Sequence, residues 1–228
     1  NSAVNPVGLT SVAIVVPRPA DMSVVWSTSS VTFKVVPSTT CVMTAVCVTH
    51  EMAHQLIVAL RKKDIKFLVA PYEADAQLAY LSRAGLVDLV VTEDSDSLVY
   101  GCKRVLFKMD GDGNGMEIQL RNLGANDEIS FVNWSPDMFM DMCILSGCDY
   151  TPSIMGLGMK TAHRIVREHR TPNRIIESLE TSTKFTLPEG FVESFWRARA
   201  TFRHMRVYDP QTRENVTLTP ITKVAQQH

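Results

Sequence analysis

Apolar and polar positions follow no regular period over residues 1–48, and then fall into order from Thr49. Behind Thr49 as a cap, Met52, Leu56, Ile57 and Leu60 recur at helical spacing, and Arg61-Lys62-Lys63 supplies the cations favoured at a helix carboxyl end. The apolar run 65–70 predicts a short buried strand. Ala70 precedes Pro71 and must leave in an extended conformation. Residues 73–84 then read as a second amphipathic helix closed by Gly85, and 86–91 as another apolar strand. Strand, helix, strand is a right-handed crossover unit, so its strands run parallel and their outgoing loops open at one carboxyl edge of the sheet, where α/β proteins place ligands.

Further along, 103–109 and 116–120 flank Asp110-Gly111-Asp112-Gly113-Asn114-Gly115 and predict a β-hairpin with a glycine-rich turn. That turn copies the start of a calcium loop, D-x-D-x-N-G. Its twelfth position, where a bidentate Glu is needed, is Arg121, so it reads as a hairpin tip. A helix over 136–146 leads into Gly147-Cys148-Asp149-Tyr150, and Met155-Gly156-Leu157-Gly158-Met159-Lys160-Thr161-Ala162 opens another that ends near His169. Residues 1–48 hold only three charged side chains, Arg18, Asp21 and Lys34, and four prolines, with neither clean alternation nor helical spacing. No fold is assigned to them; an irregular or non-homologous segment is expected. Opening on Asn without a capping pattern, the chain is expected to be a fragment or to carry a mistranslated upstream region.

Composition narrows the class. With 228 residues, 45% hydrophobic and 21% charged, the chain has the profile of a globular protein of one to two domains. Its formal charge of −1 leaves any attraction to polyanions to local patches. Five cysteines without a C-x-x-C pair argue against a disulfide framework or zinc ribbon and fit a reducing, intracellular compartment. The longest apolar runs fall far short of the roughly 20 residues that cross a bilayer.

Candidate chemistry gathers at the shared sheet edge. One loop carries Glu73 and Asp75; the other carries Glu93, Asp94 and Asp96, and if the last two lie on extended chain their i,i+2 spacing points both to one face. No Lys or Arg occurs in 71–82 or 87–100, so these acids repel one another unless a proton or a cation intervenes. Oxygen-only ligation selects hard ions such as Mg²⁺ or Mn²⁺ over zinc. Asp-Ser-Asp after a strand is also an ordinary helix cap, and acids in a first helical turn complement the dipole, so either loop alone has a structural explanation.

A second feature is basic. Lys160, Arg164 and Arg167 share a helical face behind the Gly156-Leu157-Gly158 turn, with His163, Arg170 and Arg174 flanking and Glu168 alone opposing them. Glycines before a helix let backbone amides approach a phosphate closely. Arg197, Arg199, Arg203 and Arg206 form a later cluster among Phe195, Trp196 and Phe202, which fits a solvated basic face equally well. A carboxylate cluster and a phosphate cradle in one chain point to phosphodiester hydrolysis with two metals.

The runs Val69-Ala70-Pro71-Tyr72-Glu73-Ala74-Asp75-Ala76-Gln77-Leu78-Ala79-Tyr80-Leu81, Thr92-Glu93-Asp94-Ser95-Asp96 and Leu145-Ser146-Gly147-Cys148-Asp149-Tyr150, with the Gly156-Leu157-Gly158 turn, closely resemble the flap endonuclease and xeroderma pigmentosum G family. The C-x-L-S-G-C-D-Y form and the K-M-D-x-x-G-N-G hairpin look most like its exonuclease 1 branch. The similarity runs from about Thr49 to about Pro220. It implies an α/β fold with a PIN-like, Rossmann-like, mostly parallel sheet flanked by helices, as an internal nuclease region over 49–146. A helix-two-turn-helix DNA-binding and carboxyl-terminal helical region over 147–220 and a tail over 221–228 would follow. It further implies a nuclear enzyme of DNA repair and recombination, cutting DNA from a 5′ end, nick, gap or 5′ flap.

Carried over position by position, the resemblance makes Glu73 and Asp75 ligands of a Mg²⁺ pair (or Mn²⁺), with Asp94, Asp96 and Asp149 holding mainly the second ion. Ser146, Ser153 and the Leu157 carbonyl match ligands of a K⁺ ion. Gly156, Gly158, Lys160, His163, Arg164 and Arg167 fall in the element that grips duplex DNA. The family's amino-terminal region, with two more aspartates and a basic helical gateway, has no counterpart in 1–48, so the second metal site is the better preserved and a DNA-binding fragment with impaired catalysis is the alternative. A zinc peptidase is a remoter one: His50-Glu51-Met52-Ala53-His54 satisfies H-E-x-x-H, and Glu73 lies 19 residues past His54. An apolar strand and Pro71 intervene, however, where a zincin needs an adjacent helix.

Overall fold

The computed structural model describes the backbone of residues 12–17, 23–27, 50–126 and 128–221, and the side chains of those from Glu51 onward. One six-stranded sheet organises the first half of the chain, in the order β3 (Phe67–Val69), β1 (Val12–Pro17), β2 (Ser23–Ser27), β4 (Leu89–Val91), β5 (Arg104–Phe107), β6 (Met116–Gln119). β2 is parallel to β4 and β4 to β5, whereas β1 is antiparallel to both β2 and β3, and β6 is antiparallel to β5. Four strands therefore run one way and two the other. β3 and β4 share a direction, as the crossover pattern predicts, but β1 and β2 lie between them.

Those two strands correct the expectation of an irregular segment over 1–48. VAIVVP and SVVWS are short runs of β-branched residues in interior positions of the sheet. Interior strands read as continuous apolar runs rather than alternating ones, which is why no period marks them. The remainder of 1–48 lies outside the described residues.

Between β3 and β4 the chain forms α2 (Ala74–Arg83), which buries eight of its ten residues. Three of the eight, Asp75, Gln77 and Ser82, are polar, so the helix is buried by its place in the fold and not by an all-apolar sequence. Leu78, Ala79 and Leu81 pack in one core with Val90 and Val105 of the sheet, Ile144 and Leu145 of α4 (Pro136–Ser146), and Phe195 and Phe202 of α7 (Phe191–His204). α1 (His50–Lys62) instead forms a small cluster with Ile65 and Phe67 through Ala53 and Leu60. The hairpin is observed, with Asp110 accepting from the backbone N–H of Asp112 and Asn114 across its tip. Ser135 caps α4, accepting from Met138 N–H at 3.2 Å. No helix among the described residues is long and apolar enough to cross a membrane.

Two polar ties bind the carboxyl-terminal elements to this core. Gln77, fully buried on α2, donates through Nε2 to the Tyr208 carbonyl at 2.8 Å and accepts the Tyr208 N–H at 2.7 Å, pinning β7 (Arg206–Asp209), which pairs with β8 (Glu214–Thr217), to the helix. Arg199 of α7 is buried in an ion pair with Asp141 of α4, and Arg203 pairs with Asp137 one turn away. Burial pulls the Arg199 guanidinium down to about 10, with Arg203 adding to that effect.

Removing one partner of a buried pair strands the other charge. Arg199→Met is expected to lower unfolding free energy by about 3–5 kcal/mol, and the double variant Asp141→Leu/Arg199→Met to recover most of that, as measured by urea denaturation. Gln77→Leu leaves the Tyr208 N–H and carbonyl buried without partners; a loss of about 2 kcal/mol or more is expected in the same measurement.

Candidate active site

Chain direction gathers the acids. β3 and β4 end at the same sheet edge, and the segments leaving them deliver Glu73, just before α2, and Asp94 with Asp96. Asp149 arrives from a third direction, in the turn after α4. There Gly147 adopts φ +121, a conformation a side chain resists, and Thr151 N–H returns to the Cys148 carbonyl at 3.4 Å. A hydroxyl pair at 2.8 Å joins Tyr150 to Tyr100, and both rings pack on Phe202, at centroid distances of 5.1 and 4.9 Å. This aromatic trio holds the Asp149 turn against α3 (Asp96–Val99) and α7.

Glu73, Asp94, Asp96 and Asp149 lie within one another's electrostatic reach. Burial raises the Glu73 carboxyl, and the charges of Asp149 and Asp94 raise it further. Burial, then Asp94, Asp149 and Glu73, push Asp96 up to about 6. Every charge acting on these two groups is negative. The same field reaches outward: burial, the Tyr150 hydroxyl, Glu73 and Asp96 raise the Tyr100 hydroxyl, and burial followed by the Asp96 charge pushes the Cys143 thiol up to about 12.

Asp94 and Asp96 are not on extended chain. Asp96 opens α3, and Asp94 caps it, its Oδ1 accepting the Asp96 N–H at 2.9 Å while Thr92 Oγ1 accepts the Asp94 N–H at 3.0 Å. The capping role and the clustering therefore coexist. Glu93 turns away, accepting the Lys108 N–H at 2.7 Å. Asp75 is buried on the first turn of α2, where its charge, after burial, raises the Cys102 thiol.

Four carboxylates supplying oxygen donors suit a hard divalent ion in chemistry. Ligand geometry is not preassembled: among the described residues, no three His, Cys, Asp or Glu side chains form a group placed to hold a metal. His54 is exposed on α1, whose apolar face packs in a cluster separate from the main core, and the side chain of His50 lies outside the described residues.

The basic element is α5 (Met159–His169). Gly156 takes φ +77 in the turn before it, and Gly158 caps it without a side chain, leaving the first amides open. Lys160, Arg164 and Arg167 are exposed and in no ion pair among the described residues, while Ala162, Ile165 and Val166 are buried. Ser146 Oγ donates to the Cys143 carbonyl at 3.0 Å, and a Cβ on Gly147 would lie 3.8 Å from Ser153 Oγ, so the two serines flank the Asp149 turn.

Two basic assignments need correction. His163 does not face solvent: it is only 9% exposed, stacks on Trp134 at 4.5 Å and 7°, and donates from Nε2 to the Ser130 carbonyl at 2.9 Å. Its place between Ala162 and Arg164 puts it at the border of the buried face. The later arginines are not a free patch either, since Arg199 and Arg203 are paired with α4 and Arg197 pairs with Glu193 at 2.7 Å. Sequence reasoning misses the Tyr100–Tyr150–Phe202 trio, whose members come from three separate stretches with no spacing to link them.

Comparison with known proteins gives these features a lineage. Residues 64–149 match the XPG I-region, a span that holds all five proposed acidic residues. Exonuclease 1 of Arabidopsis thaliana is 43% identical over 182 residues, covering 80% of this chain and 25% of that protein. Exodeoxyribonuclease 1 of Schizosaccharomyces pombe is 44% identical over 173 residues, 76% of this chain and 30% of that protein. The chain thus spans between a quarter and a third of these relatives. Among solved structures, flap endonuclease-1 from Methanococcus jannaschii superposes with a TM-score of 0.54 at 27% identity, over 68% of this chain and 44% of that one. By its I-region, its relatives and its fold, the chain belongs to the flap endonuclease and xeroderma pigmentosum G family of 5′ nucleases.

Proposed function

We propose that this chain carries the internal nuclease region of a metal-dependent DNA exonuclease or 5′ flap endonuclease acting in DNA repair and recombination in the nucleus. The observation that carries it is the convergence of Glu73, Asp94, Asp96 and Asp149 where three segments of chain meet: beyond burial, the charges of Asp149 and Asp94 act on Glu73, and those of Asp94, Asp149 and Glu73 act on Asp96. These four, with Asp75, are the proposed ligands of Mg²⁺ or Mn²⁺. A bound divalent ion would polarise the scissile phosphate and lower the pKa of attacking water. Glu73 and Asp149 sit at exposed positions, the Glu73 carboxyl partly desolvated, and Asp94 is held by its bond to the Asp96 amide. Lys160, Arg164 and Arg167 would take the phosphates of duplex DNA, with the open amides at Gly156–Gly158 alongside. Ser146, Ser153 and the Leu157 carbonyl are the proposed K⁺ ligands beside that turn.

A second reading, DNA binding with impaired cleavage, has one observation in its favour: no three acids form a ready ligand group among the described residues. A labelled 5′-recessed duplex separates the two. With Mg²⁺ the chain is expected to release nucleotides, Asp94→Ala to slow release roughly 100-fold or more, and EDTA to abolish it; salt-sensitive binding without products would establish the second reading. Under either, Lys160→Ala or Arg164→Ala is expected to flatten the slope of log K against log[salt] by about 0.9 per charge removed, measured by fluorescence anisotropy; an unchanged slope takes α5 out of the DNA interface.

A further inference from the structure

The turn that opens α5 carries two side chains that neither the acidic cluster nor the basic face uses. Leu157 N–H returns to the Ile154 carbonyl at 3.1 Å, closing a turn whose corners are Met155 and Gly156, the latter at φ +77. Ile154 and Leu157 are buried at its two ends, so the backbone between them bulges into solvent. Met155 is 91% exposed in consequence, and Met159, the first residue of α5, is 55% exposed. Gly156 and Gly158 contribute no side chain. Over 154–159 the two thioethers are therefore the only side chains presented to solvent, and whatever approaches the open amides of this turn meets them. A single apolar residue on a surface is ordinary, but two on one short turn beside Lys160 mark a contact.

We propose that Met155 and Met159 form a peroxide-sensitive modification site, at which conversion of the thioethers to sulfoxides loosens the chain's hold on duplex DNA. The inference rests on the reading of α5 as the DNA-binding element and adds a means of regulating it. A thioether is flexible and polarisable, suited to lie along the C–H edges of deoxyribose while the neighbouring amides and Lys160 take the phosphates. Hydrogen peroxide transfers one oxygen to sulfur. The S–O bond forms as the O–O bond breaks, sulfur gives up two electrons, and the departing hydroxide takes the proton of the transferred oxygen and leaves as water. The product carries a strongly hydrated oxygen of partial negative charge where an apolar sulfur stood. Docking then has to strip that oxygen of water and set it beside phosphate, both unfavourable. Exposure makes the reaction selective, because Met138, Met140 and Met142 of α4 are sealed in the core and shielded from the oxidant. Methionine sulfoxide reductases return the sulfoxide to the thioether, so the change is reversible.

Timed treatment of the whole chain with hydrogen peroxide in EDTA, followed by tandem mass spectrometry of proteolytic fragments, reads each methionine separately. Met155 is expected to be oxidised first and Met159 next, about ten-fold faster than Met138, Met140 or Met142. Duplex DNA is expected to slow both and to leave unchanged Met116, which is 49% exposed on the edge strand β6. Oxidised at both positions, the chain is expected to bind duplex about five-fold more weakly by fluorescence anisotropy, and treatment with methionine sulfoxide reductase to restore the affinity. Met155→Leu/Met159→Leu, which has no sulfur at the turn, is expected to bind equally before and after peroxide. Duplex that fails to slow Met155 and Met159 overturns the proposal; so does an unchanged affinity after oxidation, or a loss that persists in the double variant. The α5 reading fails separately, in the untreated chain. No duplex binding there, or a salt slope indifferent to Lys160→Ala, discards that reading and this proposal with it, whereas a normal slope with peroxide-insensitive binding discards this proposal alone.

Discussion

Like charges gathered at a protein edge repel, and that repulsion governs how this chain is built. Two carboxylates ~6 Å apart at an effective dielectric near 20 oppose each other by about 3 kcal/mol, and partial burial adds to it. Asp96 carries both effects: burial first, and then the charges of Asp94, Asp149 and Glu73, push its carboxyl up to about 6. A raised acid favours the folded state only while protonated, so as pH climbs from about 4 through 6 the ionisation of Asp96 works against folding. The rest of the structure has to hold the cluster together against this. A divalent cation is the partner whose charge would reverse the sign.

The holding is done from outside the cluster. α2 is buried almost all round and cannot rotate to let Glu73 retreat; Gln77 fixes its register to β7 by two short hydrogen bonds. Tyr80, one turn on, hydrogen-bonds to Asp209, whose carboxylate also accepts from Gln211 N–H and Thr212 Oγ1. On the other side, α7 is locked to α4 by the Arg199–Asp141 pair, and α4 delivers Asp149. Both ties cross the boundary that the sequence places between residues 146 and 147, so the carboxyl-terminal region acts as a brace for the acids.

Much of this was legible before any coordinates. Helices α2, α4 and α5 follow from periodicity and caps, and Pro136–Ser146 matches its sequence-based range to the residue. The shared edge for Glu73 and Asp94 follows from the crossover rule, which depends only on strand direction. Asp149 does not, because its position depends on how α4 returns across the sheet, and only family resemblance placed it with the others. β1 and β2 were illegible because interior strands lose their alternation. His163 and Arg199 were misplaced for a related reason: charge type and helical spacing locate a residue to within about a turn, whereas burial changes from one residue to the next. A stacked histidine and a solvent-facing lysine therefore look alike in sequence.

The correction of the later arginines has a consequence for where nucleic acid can lie. With Arg199 and Arg203 paired to α4 and Arg197 to Glu193, little free positive charge remains on α7. The α5 face keeps Lys160, Arg164 and Arg167 unopposed. Under the nuclease reading the acids would not draw a phosphate backbone by their own charge; the exposed cations of α5 would attract it, and a divalent ion among the carboxylates would make its final approach favourable.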